Sequence, residues 1–207
     1  MKILIADDHA VLREGVKSLL NSMPFVTSID EAADGNQTLS MIKNNDYDMA
    51  ILDISMPGIS GLDILRDIRD LGCRCRILIM SFHPEEHYAG RVFKLGAVGY
   101  VSKCASFEEV RQAIEKVAAG GRYVSANYAE KLAFTDVSGV NTHHTLSDRE
   151  FQVMISLAKG SSISDIARDA FLSDKTVSTY RGRIMKKMNF KSNADLTIYA
   201  LQKGLIN

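Results

Sequence analysis

The feature that most constrains the fold of this chain is a series of short, almost wholly apolar runs, each followed by a helix-length segment. The run Met49–Leu52, for example, has none of the apolar–polar alternation that marks a strand with one face in water. Continuous apolar strands are typical of parallel sheets that carry helices on both faces. The alternation of such runs with helical segments therefore predicts an α/β fold.

Strand and helix patterns alternate along residues 1–120. We predict strands at Lys2–Ala6, Val26–Ile29, Met49–Leu52, Arg76–Met80 and Gly99–Ser102, and helices at Ala10–Asn21, Gly35–Asn44, Gly61–Leu71, Glu85–Lys94 and Ser106–Ala119. Units of this kind and length are typical of a flavodoxin-like, doubly wound fold with a five-stranded parallel sheet.

Polar side chains come directly at the ends of four of these runs. Asp7 and Asp8 follow the first run and Asp53 follows the third, while Ser81 and Lys103 follow the fourth and the fifth. Because the carboxyl ends of parallel strands meet at one edge of the sheet, where open α/β sheets bind ligands, these groups should lie together. Three carboxylates, a hydroxyl and an ammonium predict a site for a divalent cation and a phosphoryl group.

The cluster can be interpreted as a phosphoryl-accepting site. A carboxylate attacks phosphorus only when the phosphoryl oxygens are neutralised and aligned. Mg²⁺ prefers about six oxygen ligands, and Asp7, Asp8 and Asp53 would supply carboxylates, directly or through water. The backbone carbonyl of Ser55 would supply a further oxygen, and Lys103 would place its charge beside the phosphoryl group. An aspartate that merely caps the next helix is the alternative at each single position.

The end of the chain has a different pattern, which is helical throughout from Thr145. The segment Ser147-Asp148-Arg149-Glu150 forms a capping box at the start of the first helix. A short helix, a tight turn at Leu172-Ser173 and a longer helix from Asp174 to about Met188 are typical of a helix-turn-helix. A fourth helix is expected from about Asn193 to Leu201.

These patterns divide the chain into three parts. We predict an α/β domain at 1–121, a linker at 122–144 and a small all-α domain at 145–207. The linker loses the periodicity of its neighbours and includes a short helix near Tyr128–Phe134. We interpret the pair His143-His144 as linker residues, since no Cys or acidic cluster at metal-ligand spacing accompanies it.

A net charge of zero hides an asymmetry between the two ends. Residues 1–122 carry 14 basic and 17 acidic side chains, whereas residues 146–207 carry 10 basic and six acidic ones. A basic C-terminal part favours a polyanionic partner there. No apolar run reaches the ~18 residues of a membrane span, and the start of the chain lacks a secretory signal pattern. Three cysteines predict no disulfide framework, which fits a reducing cytoplasm.

In combination, these motifs resemble known families. Residues 1–120 resemble a response-regulator receiver domain, through Asp7-Asp8, Asp53 with Met56-Pro57-Gly58 and Gly61, Ser81, Gly96-Ala97-x-Gly99-Tyr100, and Lys103. Residues 145–207 resemble a LuxR-type helix-turn-helix, through Leu146-Ser147-x-Arg149-Glu150, Ala158-x-Gly160, Asp165-Ile166-Ala167, Leu172-Ser173-x-Lys175-Thr176-Val177 and Ile184-x-Lys186-Lys187-Met188. The whole chain resembles a transcriptional response regulator of the NarL/FixJ class.

The resemblance implies a role for each residue of the cluster. Asp53 would accept a phosphoryl group from a sensor histidine kinase in a step that needs Mg²⁺ or Mn²⁺, with Asp7 and Asp8 as metal ligands. Lys103 would contact the phosphate, and Ser81 and Tyr100 would form the switch pair. The added charge and acceptor oxygens would draw Ser81 inward, and Tyr100 would fill the space behind it.

The longer helix of the helix-turn-helix has one apolar and one polar face. Val177, Tyr180, Ile184 and Met188 share a face on a 3.6-residue period and should pack inward. The residues expected to contact double-stranded DNA are Lys175, Thr176, Ser178, Thr179, Arg181, Gly182, Arg183, Lys186 and Lys187. Hydroxyls would face bases and cations would face phosphates. Few long side chains point outward, so base specificity should be modest and assisted by DNA shape.

A helix-turn-helix this small should need two copies for firm binding, so we expect a homodimer. RNA polymerase is a further candidate partner. We do not expect an enzyme: a metal-dependent phosphatase would need a second acid two residues after Asp53, where Ser55 stands. The other alternative is a DNA-binding regulator that is independent of phosphorylation and uses its receiver only to dimerise.

Overall fold

The computed structural model describes residues 1–134, 142–170 and 172–206, which fall into two compact units, Met1–Ala133 and Phe134–Asn207. The first unit contains the α/β domain and the second contains the helix-turn-helix. The domain boundaries at residues 121 and 145 remain a prediction. Predicted linker residues 135–141 lie outside the described part of the chain.

The first unit is a five-stranded, all-parallel sheet in the order β2-β1-β3-β4-β5 with helices between the strands, which confirms the predicted fold class. The strands are β1 (Lys2–Ala6), β2 (Ser28–Ala32), β3 (Met49–Leu52), β4 (Arg76–Ser81) and β5 (Gly99–Ser102). The helices are α1 (Ala10–Asn21), α2 (Gly35–Asn44), α3 (Gly61–Asp70), α4 (Glu85–Lys94), α5 (Phe107–Ala118) and α6 (Ala126–Phe134).

The central strands are apolar throughout because both of their faces are covered. On one face, Ile3, Ile51 and Leu78 belong to a core that also holds Val16 of α1 and Ile114 of α5. Burial of each such side chain contributes roughly 1.5–3 kcal/mol. The sheet thereby holds the ends of its strands in a fixed register, which positions the polar residues that follow them.

The second strand differs from the prediction, which placed it at Val26–Ile29. Strand β2 runs instead from Ser28 to Ala32 and pairs only with β1. As an edge strand it is half-buried and accommodates Asp30 and Glu31, so it lacks the apolar run on which the prediction relied.

The second unit contains four α-helices within its described residues, α7 (Asp148–Ala158), α8 (Ile163–Asp169), α9 (Asp174–Met188) and α10 (Asn193–Gln202). A serine caps the start of each one, since its side chain accepts a hydrogen bond from a backbone N–H of the first turn. A 3₁₀ turn, Thr142–Thr145, precedes α7. Within the described residues, no helix is both long and apolar enough to cross a membrane.

His143, which we assign to the linker from sequence, is buried within this second unit. Its ring stacks on Phe151, with ring centroids 5.7 Å apart, and its Nδ1 lies 2.9 Å from the Tyr199 hydroxyl. The side chain of His144 lies outside the described residues.

Candidate functional site

The ends of β1, β3 and β5 bring three of the predicted site residues into direct contact. The Lys103 ammonium lies 2.7 Å from Asp7 Oδ2 and 2.7 Å from Asp53 Oδ2, and all three side chains are almost fully buried. The backbone N–H of Lys103 also donates to the Ser81 carbonyl at 2.9 Å, which ties the end of β5 to the end of β4. The polar residues at the strand ends thus form one cluster.

The surroundings of the Asp53 carboxyl disfavour its charged form. Burial raises the pKa of its carboxyl above the usual value, and the charge of Asp7 acts in the same direction. Hydrogen bonds from the Lys103 ammonium and the Ser55 backbone N–H oppose this rise in pKa. The carboxylate therefore depends on its partners for stability as an anion.

Two glycines shape the loop that follows Asp53. At Gly61, which begins α3, a Cβ would lie only 2.3 Å from the Asp53 carbonyl oxygen. The Gly61 N–H donates instead to the Ile54 carbonyl at 3.0 Å. Gly58 adopts φ +82°, a left-handed conformation that other residues rarely tolerate. The absence of a side chain at Gly61 lets α3 lie close to the loop after β3, and Gly58 allows the left-handed turn within that loop.

The acidic cluster fits a divalent cation. One ligand atom from each of Asp7, Asp8, His9 and Asp53 lies within 4.8 Å of the others. Asp7 Oδ2 is buried and has no hydrogen-bond partner among the described residues, although it forms an ion pair with the Lys103 ammonium at 2.7 Å. An oxygen in this position retains the lone pairs that a hard cation uses.

His9 is a member of the cluster that the sequence reasoning missed. Its Nδ1 lies 3.0 Å from Asp7 Oδ1 and 2.8 Å from Asp8 Oδ1, so the imidazole bridges the acidic pair. Its backbone N–H also donates to Asp7 Oδ1 at 2.8 Å. The signal was its position directly after the pair, but a histidine at a helix N-terminus is common without such a role.

The predicted switch residues Ser81 and Tyr100 are both fully buried. The Tyr100 hydroxyl donates to the His83 carbonyl at 2.7 Å, and the His83 N–H donates to Ser81 Oγ at 3.2 Å. Burial raises the pKa of Tyr100 above its ordinary value, so the hydroxyl keeps its proton and remains a donor. The loop between β4 and α4 is thus bonded to both switch residues.

The His83 side chain also contacts the Ser55 side chain, in the loop after β3. Ser55 Oγ and His83 Nε2 are 2.8 Å apart, and the His83 ring stacks on Tyr88 with centroids 4.4 Å apart. This contact joins the loop after β3 to the loop after β4. Only the carbonyl of Ser55 was predicted to matter, because nothing in the sequence links two loops 28 residues apart.

Helix α9 presents a polar face, as its periodicity predicts. Val177, Ile184 and Met188 are buried, while Tyr180 is half-buried. The predicted contact residues that are exposed are Lys175, Ser178, Thr179, Gly182, Arg183, Lys186 and Lys187, and those that are half-buried are Thr176 and Arg181. The exposed residues combine hydroxyls with cations, which suits a nucleic-acid surface.

Two of these cations also have partners inside the domain. Arg181 Nε donates to Asn193 Oδ1 at 2.8 Å and so links α9 to α10. The Lys187 ammonium lies 2.6 Å from a carboxylate oxygen of buried Glu150. Burial alone would raise the pKa of Glu150, but hydrogen bonds from Lys187 and from Ser147 lower it below the ordinary value. Both cations therefore help to position α9.

Comparison with known families matches one family to each of the two units. Residues 3–115 match the response regulator receiver domain, and residues 144–200 match the LuxR family of bacterial regulatory proteins.

Two relatives align with this chain over almost the whole of both sequences. The chain is 33% identical to the response regulator UvrY of Escherichia coli, over 100% of this chain and 96% of UvrY. It is 36% identical to the oxygen regulatory protein NreC of Staphylococcus carnosus, over the whole of both chains. A structure of RcsB from Salmonella enterica serovar Typhimurium, bound to promoter rprA in the presence of phosphomimetic BeF3⁻, superposes with a TM-score of 0.74 at 23% identity. That alignment covers 96% of this chain and 97% of RcsB, and it supports the fold.

Proposed function

We propose that this chain, which belongs to the response regulators with a receiver domain and a LuxR-type DNA-binding domain, is switched by phosphorylation of Asp53. The chain is a transcriptional response regulator. The contact of Asp53 with the Lys103 ammonium at 2.7 Å, beside the Asp7 carboxylate, is the observation that carries the proposal.

The reaction is a transfer of a phosphoryl group from a histidine kinase. An Asp53 carboxylate oxygen forms a bond to phosphorus as the P–N bond of the kinase phosphohistidine breaks, and the electron pair leaves with the imidazole nitrogen. The Lys103 ammonium, already bonded to one Asp53 oxygen, stays beside the phosphoryl oxygens and offsets their charge. The Ser81 hydroxyl then donates a hydrogen bond to the new group.

Asp7, Asp8, Asp53 and the Ser55 carbonyl would hold a divalent cation, Mg²⁺ or Mn²⁺. When bound, such an ion neutralises phosphoryl oxygens and relieves the repulsion among the carboxylates. A bound ion would compete with His9 for the oxygens of Asp7 and Asp8. The buried Asp7 carboxylate anchors the set, whereas Asp8 is one-third exposed and is free to adjust.

A kinase partner is supported by an apolar surface beside the site. Val11 and Phe107 are 88% and 70% exposed, and they border a cavity of about 350 Å³ between α1 and α5 that also includes Lys103. Exposed apolar patches of this kind mark contact surfaces. A helix that carries the phosphohistidine could pack there and bring its imidazole to Asp53.

The DNA-reading element is α9, which would lie in the major groove with its exposed hydroxyls towards bases. Lys175, Arg183 and Lys186 are exposed and suited to contact phosphates. Two copies would read adjacent half-sites, with α10 as one candidate dimer surface because Ile198 and Leu201 are 54% and 51% exposed. We further propose RNA polymerase as a partner and the cytoplasm, where bacterial DNA lies, as the place of action.

The decisive experiment incubates the full-length chain with a small acyl-phosphate donor and Mg²⁺ and measures intact mass. We expect the addition of one phosphoryl group to the native chain and none to Asp53→Asn, since the amide is not a nucleophile towards phosphorus. Asp46→Asn, which removes a carboxylate from an exposed loop residue, is the matched control and should be modified like the native chain.

Two results would favour other functions. Equal promoter activation by native chain and Asp53→Asn would point to a regulator independent of phosphorylation. Repeated turnover of a phosphate ester would point to a phosphatase.

A further inference from the structure

The chain returns to the sheet after α5. Tyr123 pairs with Gly99 as a parallel β-bridge: its N–H donates to the Val98 carbonyl at 3.0 Å, and the Tyr100 N–H donates to the Tyr123 carbonyl at 3.0 Å. Tyr123 is buried and belongs to the same hydrophobic core as Val117. These contacts cover the free edge of β5 and fix the backbone just before α6.

Two residues later, Ser125 binds the first residue of α4. The Ser125 N–H donates to Glu85 Oε1 at 3.0 Å, and the Ser125 hydroxyl donates to Glu85 Oε2. Ser125 Oγ also accepts from the Tyr128 N–H at 3.1 Å, so the same side chain caps α6. Hydrogen bonds to a carboxylate are stronger than those between neutral groups. A second contact follows six residues after Ser125, where the Lys131 ammonium lies 2.9 Å from the Glu86 carboxylate.

Glu85 stands only four residues after Ser81. The intervening loop is the one bonded to both switch residues, through the His83 N–H and the His83 carbonyl. A shift of Ser81 towards a phosphoryl group therefore displaces Glu85 as well. Ser125 cannot follow, because the pairing at Tyr123 ties it to the sheet. A hydrogen bond of 3.0 Å does not survive a displacement of much more than half an ångström.

We propose that Glu85 and Ser125 form a releasable clasp that transmits the state of Asp53 to α6, the helix that precedes the DNA-binding unit in the chain. In the structure the clasp holds α6 against the start of α4. Movement of the loop after β4 opens the clasp and frees α6. This coupling rests on the proposed function, because it needs a phosphoryl group at Asp53 to move Ser81.

The test is backbone amide hydrogen exchange of α6 in the full-length chain, with and without BeF3⁻ and Mg²⁺. In the native chain we expect BeF3⁻ to make exchange about ten- to a hundredfold faster, as for the loss of one hydrogen bond to a charged group. Glu85→Ala should show the faster exchange already without BeF3⁻ and should not respond further. Ser125→Asp should do the same, because aspartate still caps α6 but repels Glu85.

Two further variants separate the clasp from a loss of folding. Glu85→Gln can keep both bonds, since its amide oxygen accepts from the Ser125 N–H and its NH₂ donates to Ser125 Oγ, and it should behave like the native chain. Glu130→Gln removes a carboxylate from an exposed position of α6 and should also leave the response unchanged.

Fluorine NMR detects bound BeF3⁻, with Asp53→Asn as the blank. It distinguishes failure of the proposed function from failure of the clasp alone. Absence of bound BeF3⁻ on the native chain would overturn the proposed function, and the coupling with it. Bound BeF3⁻ that alters exchange after β4 but leaves α6 unchanged would overturn the clasp alone. Native exchange of α6 in Glu85→Ala would overturn it too.

Discussion

At the scale of single residues, Gly61 controls how closely α3 approaches the loop that follows Asp53. Gly61→Ala places a Cβ 2.3 Å from the Asp53 carbonyl oxygen, so the backbone has to move. We expect the free energy of unfolding to fall by about 1–3 kcal/mol and phosphorylation of Asp53 to slow, because the carboxylate shifts from Lys103. Chemical denaturation and timed mass spectrometry measure the two effects.

Gly90→Ala is the matched control. Gly90 lies in α4, is exposed, and has open space where its Cβ would stand. Alanine there should raise the free energy of unfolding by about 0.5–1 kcal/mol and leave phosphorylation unchanged. Equal behaviour of the two variants would show that the close contact at Gly61 constrains nothing.

The residues of the site differ in how far the sequence could predict them. Asp7, Asp53 and Lys103 could be predicted because each follows a strand, and parallel strands bring their ends together. His9 and His83 were not, because their contacts depend on which rotamer each ring adopts and on how two loops meet. Periodicity carries no information on either.

At the scale of elements, the buried Glu150 carboxylate joins the start of α7 to the last turn of α9. Its lowered pKa means that it stabilises the fold at pH values above the ordinary range of a glutamate, and that this contribution is lost as pH falls through the lowered pKa. Glu150→Gln should therefore unfold the second unit more readily at pH 7, by about 1–3 kcal/mol. The difference between the two chains should shrink in acid.

Hydrogen exchange of α7 and α9 in the full-length chain, measured from pH 7 downwards with correction for intrinsic rates, resolves this effect from the first unit. Asp169→Asn is the control, since its contact with Arg168, 3.5 Å away, is largely exposed and contributes little. A gap between native chain and Glu150→Gln that stays constant into acid would mean that the Glu150 charge stabilises nothing.

The start of a helix was predicted well wherever the side chain of a neighbouring residue caps its first turn. Serine caps at Ser147 and Ser173 mark the starts of α7 and α9, and both are visible in the sequence. Strand β2 was displaced because an edge strand is defined by its partner rather than by its own hydrophobicity. The parallel pairing of Tyr123 with Gly99 escaped prediction for the same reason, since a single bridging residue has no period.

At the scale of the whole molecule, the net charge is zero, but the N-terminal part is acidic and the C-terminal part is basic. Residues 146–207 carry 10 basic and six acidic side chains, and the exposed cations on α9 concentrate the positive charge where DNA is expected to bind. The affinity for DNA should therefore fall as the salt concentration rises. The steepness of that fall reports how many copies of the protein are bound to the duplex.

Salt dependence thus gives a test of the proposed dimer. Each phosphate neutralised contributes about −0.9 to the slope of log K against log salt, so Lys175, Arg183 and Lys186 predict about −3 for one copy and about −5 for two. We expect the steeper slope with BeF3⁻ and Mg²⁺ and the shallower one without them. Fluorescence anisotropy on a duplex of about 30 base pairs of random sequence suffices, because this electrostatic term does not depend on sequence.

Lys186→Gln should reduce the slope by about one per copy, whereas Lys203→Gln, exposed after α10, should leave it unchanged. A slope that BeF3⁻ does not alter would mean that phosphorylation leaves the number of DNA-bound copies as it was.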